Sequence, residues 1–135
     1  MDFYYGPQLR RSIERNLYAF PRRDLNRADL CHAAVCVIVV GGLNEGEVLL
    51  TKRPQHLKRH GGQYALPGGR LNRDETPDVA ALRELDEEMG LKLNPHAILG
   101  WLDDYPTRSG FCITPIVVWG PADAKIDPDP DEVAQ

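Results

Sequence analysis

The sequence predicts an α+β fold in which helices flank a mixed β-sheet. An amphipathic helical pattern comes first, apolar β-branched runs follow, and a second helical pattern separates these runs from two more. The order helix, strands, helix, strands favours a mixed sheet. The 135 residues predict one domain over residues 1–135, long enough to bury a real core.

The first helix and the first strand follow from the spacing of apolar residues. Leu9, Ile13 and Leu17 recur at helical intervals and predict a helix over about residues 7–17. The run 32–40 is apolar, β-branched and bounded by glycines, which predicts a buried strand.

Shorter runs predict four further strands, over residues 47–52, 64–66, 97–103 and 111–119. The segment 54–63 between the first two is predicted to be a basic loop. Pro115 has no N–H to donate, so its place inside the last strand predicts an edge strand or a bulge.

The second helix is predicted over residues 77–89 from the residues at its two ends. Thr76 suits the N-cap and Pro77 the first helical position. Gly90 suits the left-handed position just beyond the last turn.

Helical spacing sorts the side chains of this segment by face. One face carries three carboxylates at i, i+3 and i+4: Glu84, Glu87 and Glu88. The nearly opposite face carries three apolar residues: Val79, Leu82 and Met89. Ala80 and Ala81 lie beside the glutamates, where small side chains allow another segment to approach closely.

Three carboxylates on one face repel one another, by about 0.2–0.5 kcal/mol per pair on an isolated helix. Arg83 relieves part of this repulsion by reaching Glu87 at i+4, and a divalent cation would relieve more. Clustered carboxylate oxygens suit Mg²⁺ or Mn²⁺, which prefer octahedral oxygen ligands. The alternative is that these glutamates form a solvated charged face.

The stretch 69–91 resembles the Nudix box, G-x5-E-x7-R-E-U-x-E-E-x-G-U with U apolar, at every specified position. The resemblance implies a Nudix α/β/α sandwich and metal-dependent hydrolysis of a nucleoside diphosphate derivative. It assigns Mg²⁺ or Mn²⁺ to three carboxylates and one backbone carbonyl: Glu84, Glu87, Glu88 and Gly69. Glu84 is alternatively the general base.

The same resemblance gives the remaining box residues supporting roles. Arg83 orients the carboxylates, Glu75 braces the loop and the helix, and Gly90 ends the helix. If the glutamates act in this way, Glu84→Gln or Glu88→Gln keeps the fold and abolishes turnover.

The segment 49–69 resembles an additional motif of coenzyme A pyrophosphatases within that superfamily, with departures at Pro54, Lys58 and Leu66. This implies cleavage of coenzyme A or its derivatives to 3′,5′-ADP and 4′-phosphopantetheine. Arg53 and Lys58 are expected to contact phosphate, with Arg70 on the same basic rim. The alternatives are ADP-ribose, a damaged nucleoside triphosphate, or a non-catalytic module that binds a nucleotide.

Two later segments, 107–118 and 129–134, resemble parts of the same enzymes. Glu132 in the second is expected to be a further acidic group at the metals, or else a turn residue. Relatives usually continue with another strand and a helix, whereas this sequence ends at Gln135. One sheet face is therefore expected to lack its helix, to be covered by another subunit, or to be completed by further chain.

The composition limits the classes of partner. A net charge of −4 argues against a general binder of nucleic acid or membranes, and no apolar run approaches the ~18 residues of a membrane span. The expected partner is a small nucleotide, the expected compartment is the cytoplasm, and the oligomeric state is left open, with a homodimer as one alternative. The three cysteines are expected to be small core residues rather than a disulfide or zinc framework.

Overall fold

The computed structural model describes residues 4–25, 27–41, 45–52 and 64–122. Its elements are, in order, α1 (Pro7–Ala19), β1 (Cys31–Gly41), β2 (Gly46–Val48), β3 (Thr51–Lys52), β4 (Tyr64–Ala65), β5 (Gly68–Arg70), α2 (Pro77–Met89), a 3₁₀ helix (Pro95–Ala97), β6 (Ile98–Trp101), β7 (Tyr105–Pro106) and β8 (Phe111–Trp119). The predicted α+β class and the mixed sheet are confirmed.

The main sheet has the order β2-β1-β8-β6, with β5 also paired to β1 and β7 to β8. β1 and β8 run parallel over nine residue pairs, whereas every other pairing in this sheet is antiparallel. These two long apolar strands are central because their side chains are buried on both faces.

The core lies between this sheet and α2. Alternate residues of the central strands face the helix, among them Ala34, Cys36, Ile38, Ile116 and Val118, all fully buried. They pack against the side of α2 that carries the glutamates, so the position of the carboxylates is fixed by the core itself.

The opposite sheet face, which was expected to lack a C-terminal helix, is covered in part by the predicted N-terminal helix α1. Leu17 packs so closely on Gly100 of β6 that a Cβ there would lie 2.7 Å from the Leu17 Cβ. Tyr5, just before α1, stacks on Trp119 with ring centroids 4.6 Å apart. The N-terminal helix therefore supplies the second helical layer among the described residues.

Two predicted strands are shorter than expected. The segment 47–52 divides into β2 and β3, and β3 pairs with β4 in a separate two-stranded sheet. The segment 97–103 begins with the 3₁₀ helix, because the Asn94 side chain accepts a hydrogen bond from the His96 N–H, 2.8 Å away. It ends early because Asp103 and Asp104 instead bind the N-terminal segment: Asp103 accepts from the Arg23 N–H at 2.6 Å and Asp104 from the Arg22 side chain at 2.6 Å.

Pro115 lies in a central strand and not at an edge, as β8 runs between β1 and β6. Its carbonyl accepts from Leu102 N–H at 3.0 Å, and the N–H and C=O of one residue point to the same side of a strand. The missing donor thus faces residues 102–104, where pairing is interrupted between β6 and β7. The irregularity expected of a proline in a strand is therefore present in the neighbouring segment, as the gap between β6 and β7, and not in β8 itself.

The cysteines are placed differently from one another. Cys36 and Cys112 are buried, as expected, but Cys31 is exposed at the start of β1 and is not a core residue. Among the described residues, no helix has the length and apolarity needed to cross a membrane.

Candidate active site

The helix α2 begins and ends at the predicted residues. Thr76 has the extended backbone of an N-cap, although its hydroxyl makes no capping hydrogen bond. Gly90 adopts the left-handed conformation at φ 68° and its N–H donates to the Asp86 carbonyl at 2.8 Å. These local signals set where the helix begins and ends, and packing on the sheet sets which of its side chains face the core.

The carboxylate face of α2 is turned partly toward the sheet, since Glu84 and Glu88 are partly buried whereas Glu87 is exposed. Ala80, Ala81 and Leu85 are fully buried on either side of Glu84, whose side chain is 13% exposed. Of the apolar residues predicted on the nearly opposite face, Met89 is buried whereas Val79 is 52% exposed. The two alanines allow the close approach, so the solvated-face alternative does not describe Glu84.

Gly69 provides the space that the Glu84 carboxylate occupies. It lies in β5 opposite Ala34 of β1. A Cβ at position 69 would lie 2.6 Å from Glu84 Oε1 and 2.7 Å from its carboxyl carbon, closer than non-bonded atoms approach. A side chain at this position and the observed place of Glu84 are therefore incompatible.

Arg83 donates hydrogen bonds to four residues around the Glu84 carboxylate. Its Nε and Nη2 donate to the two oxygens of Glu75 at 2.8 and 2.9 Å. Its Nη1 donates to Glu84 Oε1 at 2.9 Å and to Glu87 Oε2 at 3.1 Å, and Nη2 also donates to the Arg70 carbonyl at 3.0 Å. The predicted contact between Arg83 and Glu87 at i+4 is present.

Glu75 ties this network to the loop before the helix. Its side chain is 9% exposed and accepts from the Asn72 N–H at 2.8 Å, while its own N–H donates to the Asn72 carbonyl at 3.0 Å. Hydrogen bonds from Arg83 lower the pKa of Glu75 below its ordinary value. The same bonds raise the pKa of Arg83, so both groups are charged at neutral pH.

The buried thiol of Cys36 on β1 interacts electrostatically with Glu88 of α2. Burial and, to a smaller extent, the negative charge of Glu88 raise the pKa of the Cys36 thiol to about 12. The thiol is therefore neutral at physiological pH, and Glu88 itself is partly buried.

The carboxylates present suit a hard divalent cation by their chemistry. Oxygen donors are what Mg²⁺ and Mn²⁺ prefer, and the space opposite Gly69 already holds one carboxylate. Within the described ranges, no three acidic, histidine or cysteine side chains are gathered closely enough to hold a metal ion. Instead, Arg83 Nη1 donates hydrogen bonds to both Glu84 and Glu87. If Glu87 is to bind a cation, its side chain, which is 54% exposed, must rotate away from Arg83.

Of the four remaining predicted site residues, the structure describes one. Arg53, Lys58 and Glu132 lie outside the described residues. Arg70 is exposed, with its guanidinium carbon 5.2 Å from the centroid of the Phe111 ring. Phe111 was not among the predicted site residues, although it follows the Ser109-Gly110 pair in one of the motif-like segments.

The family model that matches the chain is the NUDIX domain, over residues 31–135. The chain is 35% identical to the uncharacterized Nudix hydrolase NudL of Yersinia enterocolitica, over 96% of this chain and 66% of that protein. Its identity to NudL of Escherichia coli K12 is 36%, over 84% of this chain and 60% of that protein. The chain thus spans about 60–66% of the length of these curated relatives.

A solved structure shares the fold. The MutT/nudix family protein from Enterococcus faecalis superposes with a TM-score of 0.64 at 20% identity, covering 97% of this chain and 54% of that one.

Proposed function

The chain belongs to the Nudix family, and from that premise we propose that it is a metal-dependent hydrolase of the diphosphate in a nucleoside diphosphate derivative. The observation that carries the proposal is the position of Glu84. Its carboxylate is only 13% exposed, lies against Gly69 of β5 and accepts a hydrogen bond from Arg83. Stability alone does not require such an arrangement.

The residues that would hold Mg²⁺ or Mn²⁺ are Glu84, Glu87 and Glu88, together with the Gly69 carbonyl. When bound, such a cation polarises the diphosphate and lowers the pKa of a coordinated water.

The protein's own groups keep these carboxylates in place. Arg83 holds Glu84 and Glu87, and Glu75 holds Arg83 through two hydrogen bonds. As an alternative to binding the cation, Glu84 is the general base for the attacking water; in support, Arg83 contacts its Oε1 and leaves Oε2 to other partners. Arg83 and Glu75 are therefore positioning residues in this proposal.

We propose coenzyme A or a derivative as the substrate, cleaved to 3′,5′-ADP and 4′-phosphopantetheine. The support is the likeness of the segments 49–69 and 107–118 to coenzyme A pyrophosphatases. The second of these segments covers most of β8, the strand that pairs with β1 beside the site. Arg53, Lys58 and Glu132 stay in the proposal as sequence-based assignments, the first two for phosphate and the last for the metals.

The test is chromatographic product analysis after incubation with coenzyme A, ADP-ribose and a panel of nucleoside triphosphates, with Mg²⁺, with Mn²⁺ and with a chelator. We expect metal-dependent release of 3′,5′-ADP from coenzyme A above any other product. Turnover of a different diphosphate would discard coenzyme A and retain the hydrolase. Binding of nucleotides without any turnover would favour the non-catalytic module.

Matched variants separate chemistry from folding. Glu84→Gln and Glu88→Gln change one oxygen to nitrogen and are expected to abolish turnover while the protein unfolds at a similar temperature. Glu47→Gln makes the same change on exposed β2, away from α2, and is expected to act like the wild type. Near-normal turnover by both box variants would overturn the assignment.

A further inference from the structure

Arg70 extends away from the carboxylates, across the opposite face of the sheet. In the β5–β1 pairing Gly69 lies opposite Ala34 and Arg70 opposite Ala33. Because successive strand residues face opposite sides, the Arg70 side chain leaves the face on which Gly69 meets Glu84. Its guanidinium lies over the Phe111 ring of β8.

The small residue between the two strands makes this reach feasible. Arg70 must cross β1 to contact Phe111, and Ala33, its register partner on β1, is only 8% exposed. Ala33 also pairs with Ile113, two residues beyond Phe111 on the same face. Arg70, Ala33 and Phe111 thus form a surface on which the Arg70 guanidinium lies over the Phe111 ring. We call this surface the Arg70–Phe111 platform.

Two further observations suggest a ligand for this platform. Arg70 is exposed and, among the described residues, forms no ion pair. Its own carbonyl accepts the hydrogen bond from Arg83 that joins it to the carboxylate network. The backbone of Arg70 is therefore part of the proposed catalytic site, while its side chain lies on the opposite face of the same edge strand.

We propose that the Arg70–Phe111 platform stacks the planar base of the nucleotide substrate and that Arg70 is a specificity-determining residue. Guanidinium planes stack on aromatic faces and on nucleobases, and here the guanidinium carbon lies 5.2 Å from the centroid of the Phe111 ring on a side chain that is exposed. This inference rests on the proposed function for its substrate, but binding tests it without turnover.

The experiment measures binding of AMP and of ribose 5-phosphate, two probes that share a phosphate and differ by the base, by calorimetry on the full chain. The variants are Arg70→Lys, which keeps the charge and removes the plane, and Phe111→Leu, which keeps an apolar side chain and removes the ring. We expect each to weaken AMP binding roughly tenfold and to leave ribose 5-phosphate unchanged. Arg73→Lys is the matched control, because Arg73 is an exposed arginine in the turn that follows β5. Thermal unfolding checks that each variant is folded.

The outcomes are distinct. An equal loss for both probes would mean that Arg70 reads phosphate and would overturn the stacking role. Unchanged AMP binding in both variants would overturn the platform altogether. A selective loss of AMP binding in a chain that hydrolyses nothing would support the platform while the proposed hydrolase fails.

Discussion

Replacing Gly69 by alanine tests whether the position of the Glu84 carboxylate matters for function separately from stability. The new Cβ would lie 2.6 Å from Glu84 Oε1, and ordinary contact begins at 3.4 Å. The carboxylate must therefore retreat by about 0.8 Å. It is the end of a side chain rather than backbone, so it can move, and weakening its hydrogen bond to Arg83 costs about 1 kcal/mol.

The same displacement is large for catalysis. A misplacement of about 1 Å in a reacting group can cost on the order of 10²-fold in rate. We therefore expect Gly69→Ala to keep most of its free energy of unfolding and to lose about two orders of magnitude in kcat.

The neighbouring glycine is the matched comparison. A Cβ on Gly68 would strike the Ala34 carbonyl oxygen and lie 2.8 Å from the Val35 Cα. These are backbone atoms of the central strand and cannot retreat alone, so we expect Gly68→Ala to lose about 2 kcal/mol or more. Gly6→Ala, with nothing within 4 Å of its new Cβ, is the neutral control.

The assays are urea denaturation followed by tryptophan fluorescence, and metal-dependent turnover of the substrate identified by product analysis. Wild-type kcat in Gly69→Ala would refute the argument that Glu84 must stay against position 69. So would a loss of stability equal to that of Gly68→Ala, because the effect would then be one of folding.

Three further results are expected. Arg83→Met should lower the free energy of unfolding by about 1–3 kcal/mol, because it leaves the mostly buried carboxylates of Glu75 and Glu84 without their partner. Arg10→Met removes an exposed ion pair with Glu14 and should cost at most about 1 kcal/mol. Both values are measured by the same urea titration. Because Arg83 lowers the pKa of folded Glu75 below its ordinary 4.5, the stabilising contribution of Glu75 is present above that pH and is lost as the pH falls through the lowered value. The stability difference between wild type and Glu75→Gln should therefore shrink as the pH falls below 4.5, and a constant difference would contradict this. A disulfide reagent that reports free thiols should titrate Cys31 alone in the native protein and all three cysteines in denaturant, because Cys36 and Cys112 are fully buried; rapid native reaction of more than one thiol would contradict the packing.

Features encoded by neighbouring residues could be predicted from the sequence. Both ends of α2 were predicted because Pro77 and Gly90 act locally. β8 was predicted over residues 111–119 because an unbroken apolar run of that length is typical of a buried strand. The family assignment also belongs here, since the box is a contiguous pattern.

Features that depend on pairing across the chain could not be predicted in this way. Helical spacing placed Val79 and Met89 on one face of α2, but only packing against β1 and β5 decides that Ala80, Ala81 and Met89 are buried and that Val79 is exposed. The direction of Arg70 likewise depends on its register opposite Ala33. A shift by one residue would have sent its side chain toward Glu84.

The inward position of the carboxylates is itself an argument for function. Glu84 lies in the part of α2 that packs against the sheet, between fully buried Ala80 and Ala81, where a leucine of suitable shape would contribute about 1.5–3 kcal/mol by burial. The chain instead places a carboxylate there and surrounds it with Arg83 and Glu75, which offset its charge without removing it. Positions where a fold gives up apolar burial for a compensated charge are those where activity rather than stability sets the residue. The same network sets the expected behaviour toward metal: Arg83 contacts Glu84 only through Oε1 and holds Glu84 and Glu87 in place, so calorimetry should show that Arg83→Met binds Mn²⁺ more weakly than the wild type.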